Sequence, residues 1–311
     1  MEHISGTSEF KLNNTVVTIG KFDCFHKGHQ LLFKVAKELK QDGMQQVILT
    51  FDTNPVDVVC HSHSKFVISR DERHFFAEKN SVDYFIEYPF DEHTMDMSPE
   101  EFVKAVLVDR LGVKALVCGD DFRFGKDRAG GISELKELGE KYGFIVRVVQ
   151  RISYHDEAIG STRIKEEIQK GNIEAVNEML QRPFSLSGIV EQGMHVGRKM
   201  GLPTINFAVS EYKLLPPDGV YATRTRVNGT VYMSITNIGV RPTFYENGGR
   251  FIETYILDFD GDIYGDLAVV YLYKFIRAER KFESADALVS QINKDINATK
   301  EFFEERGQEE L

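Results

Sequence analysis

The sequence predicts an α/β domain built on a helix-covered parallel sheet, followed by an antiparallel β-barrel that ends in a helix. Three observations carry this expectation. Through the first half, short apolar runs alternate with stretches of helical periodicity, the order a strand–helix–strand fold requires. Beyond RPFSLSG the texture changes to closely spaced apolar runs separated by turns, with VNGTV as a tight hairpin signal and DGD as another turn. The chain then closes on one long amphipathic stretch, SADALVSQINKDINATKEFFEE, with Ser284 placed as its N-cap. The boundary is expected near Arg182, giving domains of residues 1–182 and 183–311.

The elements follow in order. TVVTIG reads as a strand, HQLLFKVAKELKQDG as a helix stopped by Gly43, and QQVILTFD as a second strand. SRDERHFFAEKN is a helix capped by Ser69, and VDYFIEYPF a strand. SPEEFVKAVLVDRLG has Ser98 as cap, Pro99 in the first position and Glu101 in the third, a strong helix start. KALVCG and FIVRVVQRI are strands around the helix GGISELKELGEKYG, and STRIKEEIQKG and NIEAVNEMLQR are the helices that close this half. In the second half the runs are SLSGIVEQG, TINFAVS, GVYATRTRVNGTVYMSITNIG and ETYILDFDGDIYGDLAVVYLYKFI.

Composition narrows the classes. With 311 residues and 42% hydrophobic content the chain can fill two ordinary cores. No apolar run approaches membrane-spanning length, so no membrane partner is expected. The start, MEHISGTSEFKLNN, is polar and acidic, unlike a signal or transit peptide. The cysteines Cys24, Cys60 and Cys118 form no C-x-x-C pair, which suits reduced thiols and a cytoplasmic protein. The net charge of −10, with no block of Lys and Arg, argues against a nucleic-acid footprint. A small anion held by one loop remains compatible with it.

That loop is TIGKFDCFHKGHQLLFKVAKEL, which starts at Thr18. A strand, Gly20, Asp23 and a helix start make the geometry in which backbone N–H groups point outward and attract anions. Gly28 lets a phosphate approach the backbone, and His26 and His29 face it as donors. Such donors stabilise the charge that gathers on phosphoryl oxygens under attack. Further on, Ser161 is a credible N-cap and Arg163 a natural phosphate clamp. In the second half, Thr204 and Asn206 lie two apart on a strand, so both oxygens face one way and suit Mg²⁺ carried by a nucleotide. CHSHSK offers Cys60, His61 and His63 as metal ligands, but with no fourth ligand nearby it reads as a loop.

The run GKFDCFHKGHQ resembles the H-x-G-H signature of the nucleotidyltransferases, and most closely the bacterial FAD synthetases, the bifunctional riboflavin kinase/FMN adenylyltransferase family. Gly20, Phe22, Asp23, His26, Gly28 and His29 carry the match. The resemblance continues through GDDFRFG (Asp121, Phe122 and Phe124), IGSTRIK (Ser161, Thr162 and Arg163) and EQGMHVGRKMGLPTINF (Gly193, Gly197, Arg198, Gly201, Thr204 and Asn206). It extends through PPDGVYA, NIGVRPTF, ETYILDFDGDIYGD and FIRAERKF. It implies a Rossmann-like nucleotidyltransferase domain and a riboflavin kinase barrel, with riboflavin, FMN and ATP as small-molecule partners and Mg²⁺ as cofactor. It further implies that His26 and His29 bind ATP at its α-phosphate, and that Glu253 is the base that deprotonates the flavin's terminal ribityl hydroxyl. The glycine-rich run with Arg198 would cover phosphates, and Asp121, Phe122, Phe124 and Arg277 would lie near flavin.

Three departures accompany the match. Cys24 stands where the family has Gly, Gly160 where it has Ser, and Thr53 and Asn54 where it has Pro and His. A cysteine at position 24 is expected to crowd the loop or to be forced to positive φ. These departures leave open a kinase-dominant paralogue with a weakened first domain, or a regulator that binds flavin or nucleotide without turnover.

Overall fold

The computed structural model describes residues 1–53, 64–192, 203–240 and 250–307. The chain divides into two compact units, Met1–Ser161 and Thr162–Leu311.

The first unit is built on a six-stranded sheet. Its strands are β1 (Glu2–Ser5), β2 (Thr15–Ile19), β3 (Gln45–Phe51), β4 (Tyr84–Tyr88), β5 (Val113–Gly119) and β6 (Ile145–Val149). They stand in the order β1-β4-β3-β2-β5-β6, and every pairing is parallel. The central strands bury both faces. Val16, Val17, Val47, Ile48, Leu49, Leu116 and Val117 are all fully inaccessible, which explains why these strands read as continuous apolar runs.

The helices begin where the capping residues place them. In α1 (Lys27–Leu39) the buried stripe is Leu32, Phe33 and Ala36. Ser69 and Glu72 form a capping box at the start of α2 (Arg70–Lys79). After a short α3 (Glu92–Asp96), Ser98 and Glu101 form a second box on α4 (Pro99–Phe102), with Pro99 in the first position. The chain then departs from a plain α-helix, because Val103–Arg110 is a π-helix, closed by Leu111 N–H donating to Val106 O at 3.1 Å. Next comes α5 (Ile132–Tyr142), then a small hairpin of β7 (Ser153–Tyr154) and β8 (Glu157–Ala158). The sequence also hid β1. EHIS carries one large apolar residue, yet it adds in parallel to the edge of β4, and His3 Nε2 meets Glu87 Oε2 at 2.8 Å.

Helix α6 (Ser161–Lys170) starts on the last residue of the first unit and, from Thr162, opens the second, followed by α7 (Ile173–Leu180). Asn177 on α7 donates to Leu272 O and accepts from the Phe184 N–H, both at 2.8 Å, so one amide ties this helix to two strands. Six strands follow: β9 (Phe184–Ile189), β10 (Thr204–Ala208), β11 (Gly219–Val227), β12 (Thr230–Val240), β13 (Arg250–Ile256) and β14 (Leu267–Ala278). They pair antiparallel in the order β10-β13-β12-β11-β14-β9. The two edges meet where Glu191 N–H donates to Asn206 O at 2.8 Å, curling the sheet into the expected barrel. Gly188 permits this closure, since a Cβ there would sit 2.5 Å from the Phe207 ring.

Inside the barrel, buried hydroxyls of Thr225, Ser234, Thr223, Thr236 and Thr254 hydrogen-bond in series across β11, β12 and β13, at 2.7–2.9 Å. Each satisfies its neighbour, which removes the penalty of burying them. On the opposite face lies α8 (Ala285–Arg306), capped by Ser284, with Phe302 and Phe303 packed against Ala222 and Tyr273.

Candidate active sites

Strand β2 stands between β3, which follows it in the chain, and β5, which arrives later from the far side. The strand order reverses there, and in open α/β sheets ligands bind outside the carboxyl ends of the strands at such a point. The H-x-G-H loop leaves the end of β2 and the GDDFRFG loop leaves the end of β5. Two motifs a hundred residues apart are thus brought to one edge by topology alone.

The first loop is anchored by aromatic rings. Phe22 and Phe25 are buried, and each lies 5.2 Å from Phe33 of α1, with Phe25 also 5.9 Å from Phe76 of α2. Phe22 presses edge-on against His29 at 5.0 Å. Both phenylalanines hold positive φ, 46° and 47°, a conformation that side chains resist and that recurs at functional loops. Cys24 does not share it. It is fully buried at an ordinary φ, so the expected backbone strain at that position is absent.

His26 is the N-cap of α1. Its Nδ1 accepts from the His29 N–H at 3.3 Å, and the two imidazoles stack with centroids 3.7 Å apart. An accepting Nδ1 carries no proton, so the His26 proton resides on Nε2, where it can be donated. The pair stands at the positive end of a thirteen-residue helix. A Cβ on Gly28 would come within 3.1 Å of the His26 ring, so glycine leaves the histidine uncrowded in this position. Asp23 accepts a hydrogen bond from the Ser161 hydroxyl, which joins this loop to a motif 138 residues away. Ser161 was expected to cap α6 from outside. It is instead the first helical residue, and its hydroxyl is turned to Asp23. Thr162 is exposed and Arg163 half-buried on the same turn.

In the GDDFRFG loop, Asp121 is exposed, and Phe122 and Phe124 stack at 5.6 Å. Phe124 belongs to the core, while Phe122 is half-buried. Burial, then the nearby Asp121 charge, pushes the Cys118 thiol up to about 12, which marks it as an inert core group. Beside β4, Glu87 is buried and gathers His3, Arg70 and Arg73 around one carboxylate, with His74 alongside. Nothing in the sequence pattern announced this cluster. Two guanidiniums already occupy the carboxylate, an arrangement that opposes a cation.

On the barrel, Thr204 Oγ1 donates to Glu253 Oε1 at 2.9 Å, and Asn206 pairs in register directly opposite Glu253. All three are half-buried and share a face. Continuing across the sheet, the register runs from Glu253 to Asn237, then Val220, then Arg277. Arg277 is occupied: its Nε and Nη2 bond the buried Asp295 of α8 at 3.1 and 2.8 Å. The NIGVRPTF match begins at Asn237 but assigns it no role, and strand alternation in MSITNIG places it opposite the buried Thr236; Asp295, on α8 beside this row, lies outside every matched motif. Gly193, Gly197, Arg198 and Gly201 lie outside the described residues, as do Asn54, Cys60, His61 and His63.

Two family models match the chain, FAD synthetase over residues 8–163 and riboflavin kinase over residues 180–303. Among curated proteins, the bifunctional riboflavin kinase/FMN adenylyltransferase of Listeria monocytogenes is 35% identical, covering 97% of each chain. The protein of the same description from Buchnera aphidicola (Schizaphis graminum) is 35% identical over 94% of this chain and 96% of its own. A solved structure titled macrolide-efflux protein from Streptococcus pneumoniae superimposes with a TM-score of 0.83 at 29% identity, covering 95% of each chain. No helix among the described residues is long and apolar enough to cross a membrane. The chain belongs to the bifunctional riboflavin kinase/FMN adenylyltransferase family.

Proposed function

We propose that this chain makes FAD from riboflavin in two steps, one in each of domains 1–182 and 183–311, in the cytoplasm. The barrel transfers the γ-phosphate of ATP to the terminal ribityl hydroxyl, giving FMN. The α/β domain then joins FMN to the AMP moiety of a second ATP and releases pyrophosphate. The observation that carries this reading is that the motif residues fall into two clusters, Asp23, His26, His29 and Ser161 on one unit and Thr204, Asn206 and Glu253 on the other.

In the barrel, Glu253 takes the proton of the attacking hydroxyl, a task for a positioned carboxylate. Thr204 fixes one carboxylate oxygen and leaves the other for that proton. The Thr204 hydrogen is spent on Glu253, so its lone pairs stay available. With the Asn206 amide they form a hard-oxygen pair that fits Mg²⁺. Thr204 and Asn206 would hold the ion that arrives with ATP, and it would supply charge neutralisation at the phosphates. Gly193, Gly197, Arg198 and Gly201 would cover those phosphates.

In the α/β domain, His26 and His29 stabilise the charge that develops at the α-phosphate. Gly20, Phe22, Asp23 and Gly28 shape their loop, and Ser161, Thr162 and Arg163 close on the triphosphate. Asp121, Phe122 and Phe124 border the flavin, and Arg277 holds the C-terminal helix beside the flavin of the kinase site. Incubation with riboflavin, ATP and Mg²⁺, with flavins separated over time, should show FMN rising first and FAD following. FMN that accumulates with no FAD would favour the kinase-dominant alternative, and flavin bound with ATP unconsumed would favour the regulator.

A further inference from the structure

Asn237 has no role in the scheme above, yet it stands directly across from Glu253 in the barrel register, in the same row as Asn206. Directly opposed residues on neighbouring strands hold their Cβ atoms about 4.5–5.5 Å apart, well within reach of one small ligand group. The Asn237 amide is oriented. Its Nδ2 donates to Glu279 Oε1 at 2.8 Å, and the flipped amide would set one acceptor oxygen against another. Gly239, two residues on, carries no Cβ to crowd the Glu279 carboxylate where it stands. The carbonyl oxygen is thereby turned away from Glu279, and it is buried with no hydrogen-bond donor. Buried acceptors in folded proteins nearly always have a donor, so an oriented one that no protein donor reaches, in register with Glu253, is suited to a donor on a bound substrate.

The chemistry of that group is constrained. ATP phosphate oxygens are acceptors and cannot satisfy a carbonyl. A flavin's ribityl chain is a row of hydroxyl donors. We propose that Asn237 Oδ1 accepts a hydrogen bond from a ribityl hydroxyl of riboflavin and so sets the terminal hydroxyl against Glu253. Asn237 is then a substrate-binding residue that selects a polyol chain. This rests on Glu253 being the base.

The test uses the full chain with Asn237→Leu, which keeps bulk and removes the acceptor. KM is measured for riboflavin and for ATP in FMN formation. Lumiflavin, the same ring system without the ribityl chain, is titrated as an inhibitor. The riboflavin KM should rise about 5- to 10-fold, the worth of one hydrogen bond, with the ATP KM and the lumiflavin inhibition constant unchanged. An ATP KM that rises in step would overturn the proposal, by turning the acceptor toward the nucleotide. An equal loss of lumiflavin inhibition would overturn it too, by making Asn237 a support of the ring pocket. If Asn237→Leu melts without cooperativity, Asn237→Ala, which also removes the acceptor but adds no apolar bulk, carries the same comparison. Glu253→Gln is assayed in parallel: undiminished turnover there would remove the base reading and leave the Asn237 KM result to stand by itself.

Discussion

The Thr204 hydroxyl donates to Glu253 Oε1 at 2.9 Å, across two strands that the sequence separates by 49 positions. One bond thus links the residue suited to a hard cation with the residue suited to remove a proton. It uses the hydroxyl hydrogen and one carboxylate oxygen, and leaves free the lone pairs that each role requires.

Glu253→Ala should therefore abolish FMN formation, a loss of about 10²–10⁴-fold for a general base. Conversion of supplied FMN to FAD should continue. Thr204→Val keeps the shape and removes the orienting bond, and about a ten-fold loss is expected from a single hydrogen bond. Chromatography of the flavins from both starting substrates checks both. Loss of both activities from a well-folded Glu253→Ala protein would dissolve the division of labour.

The reverse holds in the α/β unit. His29 is propped by Phe22 and stacked on His26, so His29→Ala removes the donor proposed for the α-phosphate and leaves the Phe22, Phe25 and Phe33 rings in place. FAD formation should fall about 10²–10³-fold, the range for losing one preorganised donor, while riboflavin phosphorylation is unchanged. Ser161→Ala breaks only the bond to Asp23 and should give a smaller loss in the same step.

Both sites were legible to different depths. The parallel sheet could be read because its strands are buried on both faces, and the helix starts because Ser69, Ser98 and Ser284 are true caps. β1 could not, since EHIS gains its strand character from the waiting edge of β4 and from Glu87. Candidate residues could be named where the residue type itself suits the chemistry, as with His26 and Glu253, and the fold sets each beside another residue of its motif set. Asn237 opens the NIGVRPTF match, but its alignment with Glu253 is a cross-strand register that the motif does not display, and the pairing of Asp295 with Arg277 exists only once α8 has docked. Arg277 shows the converse: a motif residue whose guanidinium the fold has already engaged.

Cys24 departs from a glycine position, and its geometry decides the sign of a substitution. It is fully buried at ordinary φ, so Cys24→Gly relieves no strain. The change removes a packed side chain and adds backbone freedom to the unfolded chain, and about 1–2 kcal/mol of destabilisation is expected. Urea unfolding monitored on the α/β unit measures it, and a gain in stability would contradict the absence of strain at Cys24.

Acid should weaken the same unit in two stages. Burial, followed by the charge of His3, holds His74 below its ordinary value. The unfolded chain takes up this proton first, so stability falls as pH drops below about 6.5. Burial alone would raise Glu87, but hydrogen bonds from Arg70 and His3 and the charges of Arg70 and Arg73 more than offset it. Its contribution is complete above the ordinary carboxylate range and is lost as pH falls through its lowered value. His74→Leu should flatten the melting temperature between pH 7 and pH 5.5, and Glu87→Gln should remove the more acidic limb. A wild-type melting temperature constant down to pH 5 would refute the first stage.

Asp295 sits on α8, only 2% exposed, with the Arg277 guanidinium bonded to both its oxygens and Gln291 Nε2 donating at 2.8 Å. Removing one member of a buried pair strands the other charge, a cost of about 3–5 kcal/mol. Asp295→Ala should therefore loosen α8 from the barrel, and the amide protons of residues 285–306 should lose protection before those of β11 and β12. Arg277→Met with Asp295→Leu replaces the pair by apolar bulk and should recover most of the stability. If Arg277 also touches flavin, the repaired protein will melt normally yet keep a raised riboflavin KM. If its work is confined to Asp295, stability and KM will recover together.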